Sequence, residues 1–244
     1  SNGQGVAITI DGEQRTLRAP ASGNHINLSI GSTGAVIVQN LELIPPDGGS
    51  SGGLSIAQND TATAELRNIS ISGLGSTALN LSGNSTGDLT VEDVTLANNT
   101  ASSAAALSFN RSNASGTSLL NRISVTDNIS NGGYGYSGGA ARVGAGSAGN
   151  LTITNSLFRG NIFQDGGSLP RGGAIALHNS NVQLRLNNDL FQENETYSTD
   201  TPANADGGAV SVFHSTAGPT GSVFVSVSTF VATVAGVLGP ALFF

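Results

Sequence analysis

Gly172-Gly173-Ala174-Ile175-Ala176-Leu177 opens a stretch that closes on Phe191-Gln192-Glu193-Asn194. The opening tripeptide recurs at Gly138-Gly139-Ala140 and Gly207-Gly208-Ala209, roughly 34 residues apart, and apolar alternation follows each copy. Self-similarity at this period marks a solenoid, in which each repeat stacks on its neighbours. Weaker copies lie upstream. Ser51-Gly52-Gly53 leads into Leu54-Ser55-Ile56, Ser76-Thr77-Ala78 into Leu79-Asn80-Leu81, and Ala104-Ala105-Ala106 into Leu107-Ser108-Phe109. In each, two apolar side chains flank a small or polar one, as a strand with one buried face requires. Ile26-Asn27-Leu28 and Val6-Ala7-Ile8-Thr9-Ile10 continue the series towards the N-terminus.

A second strand follows ten to fifteen residues later in each repeat. Val38-Gln39-Asn40-Leu41, Leu66-Arg67-Asn68-Ile69, Val91-Glu92-Asp93-Val94, Ile153-Thr154-Asn155-Ser156 and Leu186-Asn187-Asn188-Asp189 align without gaps, with Leu120-Asn121-Arg122 as the exception at the third position. Asn and Asp tolerate left-handed backbone angles, so a stacked column of them at a coil corner is expected. A third recurrence has an apolar residue, two variable ones, then Asn. It reads Leu96-Ala97-Asn98-Asn99, Val125-Thr126-Asp127-Asn128, Phe158-Arg159-Gly160-Asn161 and Phe191-Gln192-Glu193-Asn194. Here the Asn is expected to end the strand by satisfying backbone groups at a corner. Asn40, Asn68, Asn99, Asn128, Asn155, Asn161, Asn188 and Asn194 are therefore read as structural corner residues.

Composition agrees with an all-β chain. Among 244 residues, 34 are Gly and only 10% are charged, and Ser, Thr and Asn fill most other polar positions. All of these lose to Ala and Leu in a helix interior. The predicted fold is a single parallel β-helix of about eight coils spanning residues 1–244, with 222–244 as a last coil plus an apolar tail. Net charge is −7, with nine Arg and no Lys, so there is no basic stripe for nucleic acid. Cysteine is absent, which excludes disulfides and thiolate metal sites. Together with the Gly, Ser, Thr and Asn bias, this fits an extracellular or cell-surface location.

The pairing of Gly-Gly-Ala-aliphatic with Phe-x-x-Asn resembles the repeats of polymorphic outer-membrane proteins and related bacterial surface proteins. Both motifs are intact at Gly172-Gly173-Ala174-Ile175 with Phe191 and Asn194, and the resemblance covers about residues 50–212. It implies a right-handed parallel β-helix of the passenger or adhesin kind. Such a likeness speaks to fold and says little about function.

Candidate chemistry is sparse. The densest titratable region holds Asp165, Arg171, His178, Asp189, Glu193, Glu195, Asp200 and Asp206. A polysaccharide-cleaving enzyme would need clustered carboxylates, or a calcium-holding acidic cluster beside a basic residue. Asp189 replaces an inward Val or Ile and has no regularly spaced acidic partner, while the other acids fall in loops that read as solvated. The loops from Glu193 to Asp206 are the place where calcium could sit; no other cofactor is expected. His178 and His214 fall one residue out of register, which suits two solvent-facing imidazoles better than a metal site. Tyr134 and Tyr136 could stack on sugar rings or pack as a flap. Thr9, Thr90, Thr95, Thr152 and Thr154 are not expected to share one coil position, so no flat threonine array is expected. Sequons occur at Asn27, Asn68, Asn80, Asn84, Asn128, Asn150 and Asn194, and a chain this rich in Asn, Ser and Thr also produces them by chance.

After Asp206 no Asp, Glu, Lys or Arg appears, and the chain closes on Ala241-Leu242-Phe243-Phe244. Gly236, Gly239 and Pro240 interrupt any helix, so a final coil is expected rather than a membrane span. Neither end shows the polar cap that solenoids normally carry. The expectation is a non-enzymatic structural protein whose partner is itself. Copies would join head to tail into a filament through Val6, Ile8, Ile10, Leu238, Leu242, Phe243 and Phe244. A glycan- or surface-binding adhesin and a polysaccharide-cleaving enzyme are the alternatives.

Overall fold

The computed structural model describes residues 7–18, 23–31, 33–45, 51–112, 115–131, 138–144, 146–165, 172–198, 208–213, 221–231, 234–235 and 242–243. Among them every regular element is a strand, and every strand pairing is parallel. No helix among the described residues is long and apolar enough to cross a membrane. The strands form three sheets that run along one axis; the early repeats donate to two of them, and the third begins at Thr100–Ala101. The architecture is a parallel β-solenoid.

The strands that follow the Gly-Gly-Ala positions build an eight-stranded sheet. Its order is Asn24–Ile30, Gly52–Gln58, Leu79–Gly83, Leu107–Arg111, Ala141–Val143, Ile175–His178, Val210–Phe213 and Leu242–Phe243. The third position of the tripeptide forms a column, Gly53, Ala78, Ala106, Ala140, Ala174 and Ala209, whose alanines are all fully buried. The second position is tight for a different reason. A Cβ on Gly173 would lie 2.2 Å from Gly208 O and 2.7 Å from Glu195 N, so backbone of an adjoining sheet already fills that space.

The second and third recurrences together make a kinked twelve-stranded sheet. In its early rungs one strand carries both arms, as in Ala35–Ile44, Thr63–Ser72 and Leu89–Ala97. Later rungs split into pairs: Thr117–Asn121 with Ser124–Thr126, Ala148–Thr154 with Leu157–Arg159, Asn181–Asn187 with Leu190–Gln192, and Ser222–Ser226 with Thr229–Val231. The kink sits on the third position of the aligned motif. Asn40, Asn68, Asp93, Arg122, Asn155 and Asn188 have φ between 48° and 58°. One left-handed residue resets the two-residue alternation, so the residues before and after the corner both point inward. Val38 and Leu41 are buried around Gln39 and Asn40, and Val91 and Val94 around Glu92 and Asp93.

The apolar-x-x-Asn motif is the same device at the next corner. Asn98, Asp127, Gly160 and Glu193 take φ of 55–63°. The following residues Asn99, Asn128, Asn161 and Asn194 therefore turn inward and are fully buried. A five-stranded sheet follows: Thr100–Ala101, Ile129–Ser130, Ile162–Asp165, Glu195–Ser198 and Val234–Ala235.

The core is a set of columns parallel to the axis. One runs Leu17, Leu43, Ile71, Leu96, Val125, Phe158, Phe191, Phe230. The rings of Phe158 and Phe191 stack at 4.9 Å, and those of Phe191 and Phe230 at 4.8 Å, so the aromatic rungs follow the strand spacing. Each fully buried side chain of this kind contributes about 1.5–3 kcal/mol.

Candidate functional site: an external groove and two open ends

The buried asparagines form a continuous ladder. Asn128 Oδ1 accepts from the backbone N–H of Asn99 at 3.0 Å and from its Nδ2 at 2.9 Å. Asn161 Oδ1 does the same for Asn128, and Asn194 Oδ1 for Asn161. Each Nδ2 also caps a carbonyl beneath it: Ile71 O, Leu96 O, Val125 O and Phe158 O. These side chains are scaffold, and two of the sequons, Asn128 and Asn194, have no exposed surface to glycosylate.

The left-handed asparagines face outward and form separate ladders. Asn40 donates to Asp11 Oδ1 and Asn68 to Asn40 Oδ1. Further along, Asn121 donates to Glu92, Asn155 to Asn121 Oδ1 and Asn188 to Asn155 Oδ1, at 2.8–2.9 Å. Sequence reading grouped all eight corner asparagines together. The structure separates Asn40, Asn68, Asn155 and Asn188, on the outer surface, from Asn99, Asn128, Asn161 and Asn194, in the core.

The kink folds the outer face of the twelve-stranded sheet into a groove along the axis. One concavity of about 370 Å³ is lined by Gln14, Asn40, Glu42, Asn68, Ser70, Asp93 and Thr95. A second, of about 630 Å³, is lined by Arg122, Ser124, Asn155, Leu157, Asn188, Leu190, Val227 and Thr229, with Ile123, Ser156 and Asp189 at its base. Between them Arg122 bridges outward-facing acids. Its Nε and Nη2 donate to Asp93 at 2.7 and 2.8 Å, and Nη2 also meets Glu92 at 2.8 Å. These donations hold the Asp93 carboxyl below the ordinary range and raise the guanidinium pKa.

Asp189 takes an inward place in the corner column of Leu41, Ile69, Val94 and Ile123, which turns polar at Ser156 one rung earlier. It is 2% exposed. Oδ1 accepts from Ser156 N–H and Oδ2 from Asn187 N–H, both at 2.9 Å. Its own N–H donates to Ser228 Oγ, and Ile123 N–H donates to Ser156 Oγ, so a short polar ladder continues the column. Burial pushes the carboxyl up to about 6, against the pull of the two backbone donors.

Of the remaining titratable candidates, His178, Glu193 and Glu195 are described, and they fall on different parts of the coil. His178 ends a strand of the eight-stranded sheet, Glu195 begins one of the five-stranded sheet, and Glu193 is an exposed left-handed corner residue. Asp165 ends a strand, and nothing is described of its side chain; Arg171, Asp200, Asp206, His214, Tyr134 and Tyr136 lie outside the described residues. Among the described residues no three or more His, Asp or Glu side chains are grouped to hold a metal ion. The five threonines do not share one coil position. Thr9, Thr90 and Thr152 do share a column, but Ile37, Glu65, Leu119, Arg185 and Phe224 occupy its other rungs. Thr95 and Thr154 stand in two other columns.

Sequence reading passed over Arg111, which is wholly buried. Continuing the alternation of Leu107 and Phe109 by one more step places it inward. Its register partners are Gly83 and Gln58, also at the end of the eight-stranded sheet. Nη1 donates to Ser118 Oγ, and Nη2 to Ser85 O and Gly87 O, while Gln58 Nε2 caps Ala62 O and Asp88 O. Both side chains satisfy corner carbonyls, so this charge is structural.

At the solenoid ends, core columns reach solvent. Ile8 is 51% and Leu17 43% exposed on the first strand, and Val225 is 39% exposed on the last rung. Phe224, Val227 and Val231 are exposed beside it. Val227 takes the left-handed corner position with φ 54°, an outlying conformation for a β-branched residue. Of the expected end-face residues, Ile8 and Ile10 lie on the twelve-stranded sheet, and Leu242 and Phe243 form the last strand of the eight-stranded sheet. Val6, Leu238 and Phe244 lie outside the described residues.

Fold and surface together define a parallel β-solenoid with an axial groove, polar in its N-terminal half and of mixed character in its C-terminal half, and with apolar columns at each end of the described coils. Comparison with protein-family models, with curated proteins and with solved structures finds no match for this chain.

Proposed function

We propose that this chain is a non-enzymatic structural subunit of an extracellular or surface fibre, joined head to tail through its solenoid ends. The observation that carries this reading is the match of columns. Ile8, Ile10 and Leu17 begin the same three columns that Val223, Val225 and Phe230 finish. A second copy stacked in register buries like against like and extends the parallel ladder through the edges that have no partner among the described residues. Leu242 and Phe243 then belong over Ile26 and Asn27, at the other end of their own sheet, rather than over Ile8 and Ile10. A heterologous contact of this kind does not close and so produces a filament. The strained, exposed Val227 in the last rung fits a surface shaped for contact. Engagement of both Asp189 oxygens by backbone supports a scaffold role over catalysis.

Electron microscopy of concentrated protein tests the proposal. Filaments with an axial repeat near 40 Å are expected, from about eight rungs at about 4.8 Å each. Ile8→Asp or Val225→Asp should leave the circular dichroism spectrum intact and remove the filaments. A chain that stays monomeric at high concentration refutes it.

A further inference from the structure

The outer groove presents two chemically different walls in its C-terminal half. One is the amide row of Asn155 and Asn188, each oriented by a hydrogen bond to the rung before it. A side-chain amide has two N–H donors and two lone pairs. One inter-rung bond therefore leaves Asn188 with donor and acceptor capacity that faces the groove in a fixed orientation. The opposite wall carries Leu157 and Leu190, and Val227 stands nearly free at the end of the amide column. The N-terminal half has no such division, because Glu42, Ser70 and Thr95 occupy the positions of the leucines.

We propose that the groove from Arg122 to Val227 binds an extended neutral oligosaccharide, its sugar hydroxyls on the asparagine row and its C–H faces on the leucine strip. A pyranose ring has the same division, with hydroxyls around its edge and apolar C–H bonds across its face. Preorganised amides reduce the ordering penalty of binding. The groove runs across the strands, whose N–H and C=O groups are consumed in the ladders, so a peptide could add no strand here. An acidic glycan gains little here, because the charge of Arg122 is already matched by Asp93, on its Nε and Nη2, and by Glu92, on its Nη2. Four rungs at about 4.8 Å span about 15 Å, the reach of a short oligosaccharide rather than a monosaccharide.

The test is calorimetric titration of the whole chain with cellohexaose, chitohexaose and mannohexaose, with hexagalacturonate as the acidic comparison. At least one neutral hexamer should bind, and its dimer should bind far more weakly. Asn155→Gly and Asn188→Gly keep the left-handed backbone and remove the amides, and each should weaken binding about fivefold to tenfold. Leu190→Ser should weaken it similarly, whereas Asn68→Gly in the other half should change nothing. The proposal is overturned if no neutral hexamer binds at millimolar concentration. Preference for hexagalacturonate, or unchanged affinity in all three groove variants, also overturns it. Filament formation is scored separately with the end-face variants, so the two ideas fail independently.

Discussion

Replacing Asp189 by Ser probes the one carboxylate that is buried among the described residues. Burial raises its pKa from 3.8 to about 6. In the unfolded chain the group has lost its proton by pH 5, while in the folded chain it still holds it. Folding is therefore favoured on the acid side, and stability falls as pH rises from about 4 to about 6, then stays flat. A shift of about two units corresponds to about 3 kcal/mol. Serine is the natural substitute, because Ser156 and Ser228 occupy the same column. Each donates to the carbonyl two residues back, Thr154 O and Ser226 O, and accepts an N–H from the preceding rung. The substituted hydroxyl can repeat that pattern with Asn187 O and Ser156 N–H. Urea unfolding of both proteins at pH 4, 5, 6 and 7.5 should show the variant gaining about 2 kcal/mol relative to the parent across the series, the rest of the difference lying below pH 4. Taking the difference cancels Asp11, Asp88 and Asp93, whose lowered pKa values give the opposite trend at lower pH. A difference that does not change between pH 4 and 7.5 refutes the assignment of Asp189 as a strained buried carboxylate.

Two further predictions concern the corners. Asn161→Ala strands the Asn128 N–H and the Val125 carbonyl in the core, and should lower stability by about 2–6 kcal/mol in the same unfolding assay. Val227→Asn relieves a β-branched residue from left-handed geometry and can extend the ladder from Asn188. It should stabilise the last rung by about 1 kcal/mol, seen as slower amide exchange in Ser222–Ser226 and Thr229–Val231.

Most of the scaffold is legible in the chain because its signals are local. Alternation around Ile175 and Leu177 names an inward face, the Gly-Gly-Ala triplet announces close backbone approach, and an Asn or Asp three places into a strand announces a left-handed corner. The site is less legible. Asn98 and Asn99 are adjacent and chemically identical, yet one turns outward and the other enters the core. Only the phase reset at the left-handed residue separates them. Nothing in the local sequence marks Arg111 as buried; its register with Gln58 places it among corner carbonyls.

What the sequence determined by itself is the periodicity: which residues alternate, where corners fall, and hence a parallel solenoid without helices. What the tertiary structure decided is the set of neighbours along the axis. Partners in one column lie 25 residues apart at Ser55 and Asn80 but 39 apart at Asp189 and Ser228. Loop length between coils varies freely because extending a closed loop adds little entropy, so spacing in the chain does not encode register. Register follows instead from the mutual fit of whole coils, which aligns the phenylalanine stack, the asparagine ladders and the two walls of the groove.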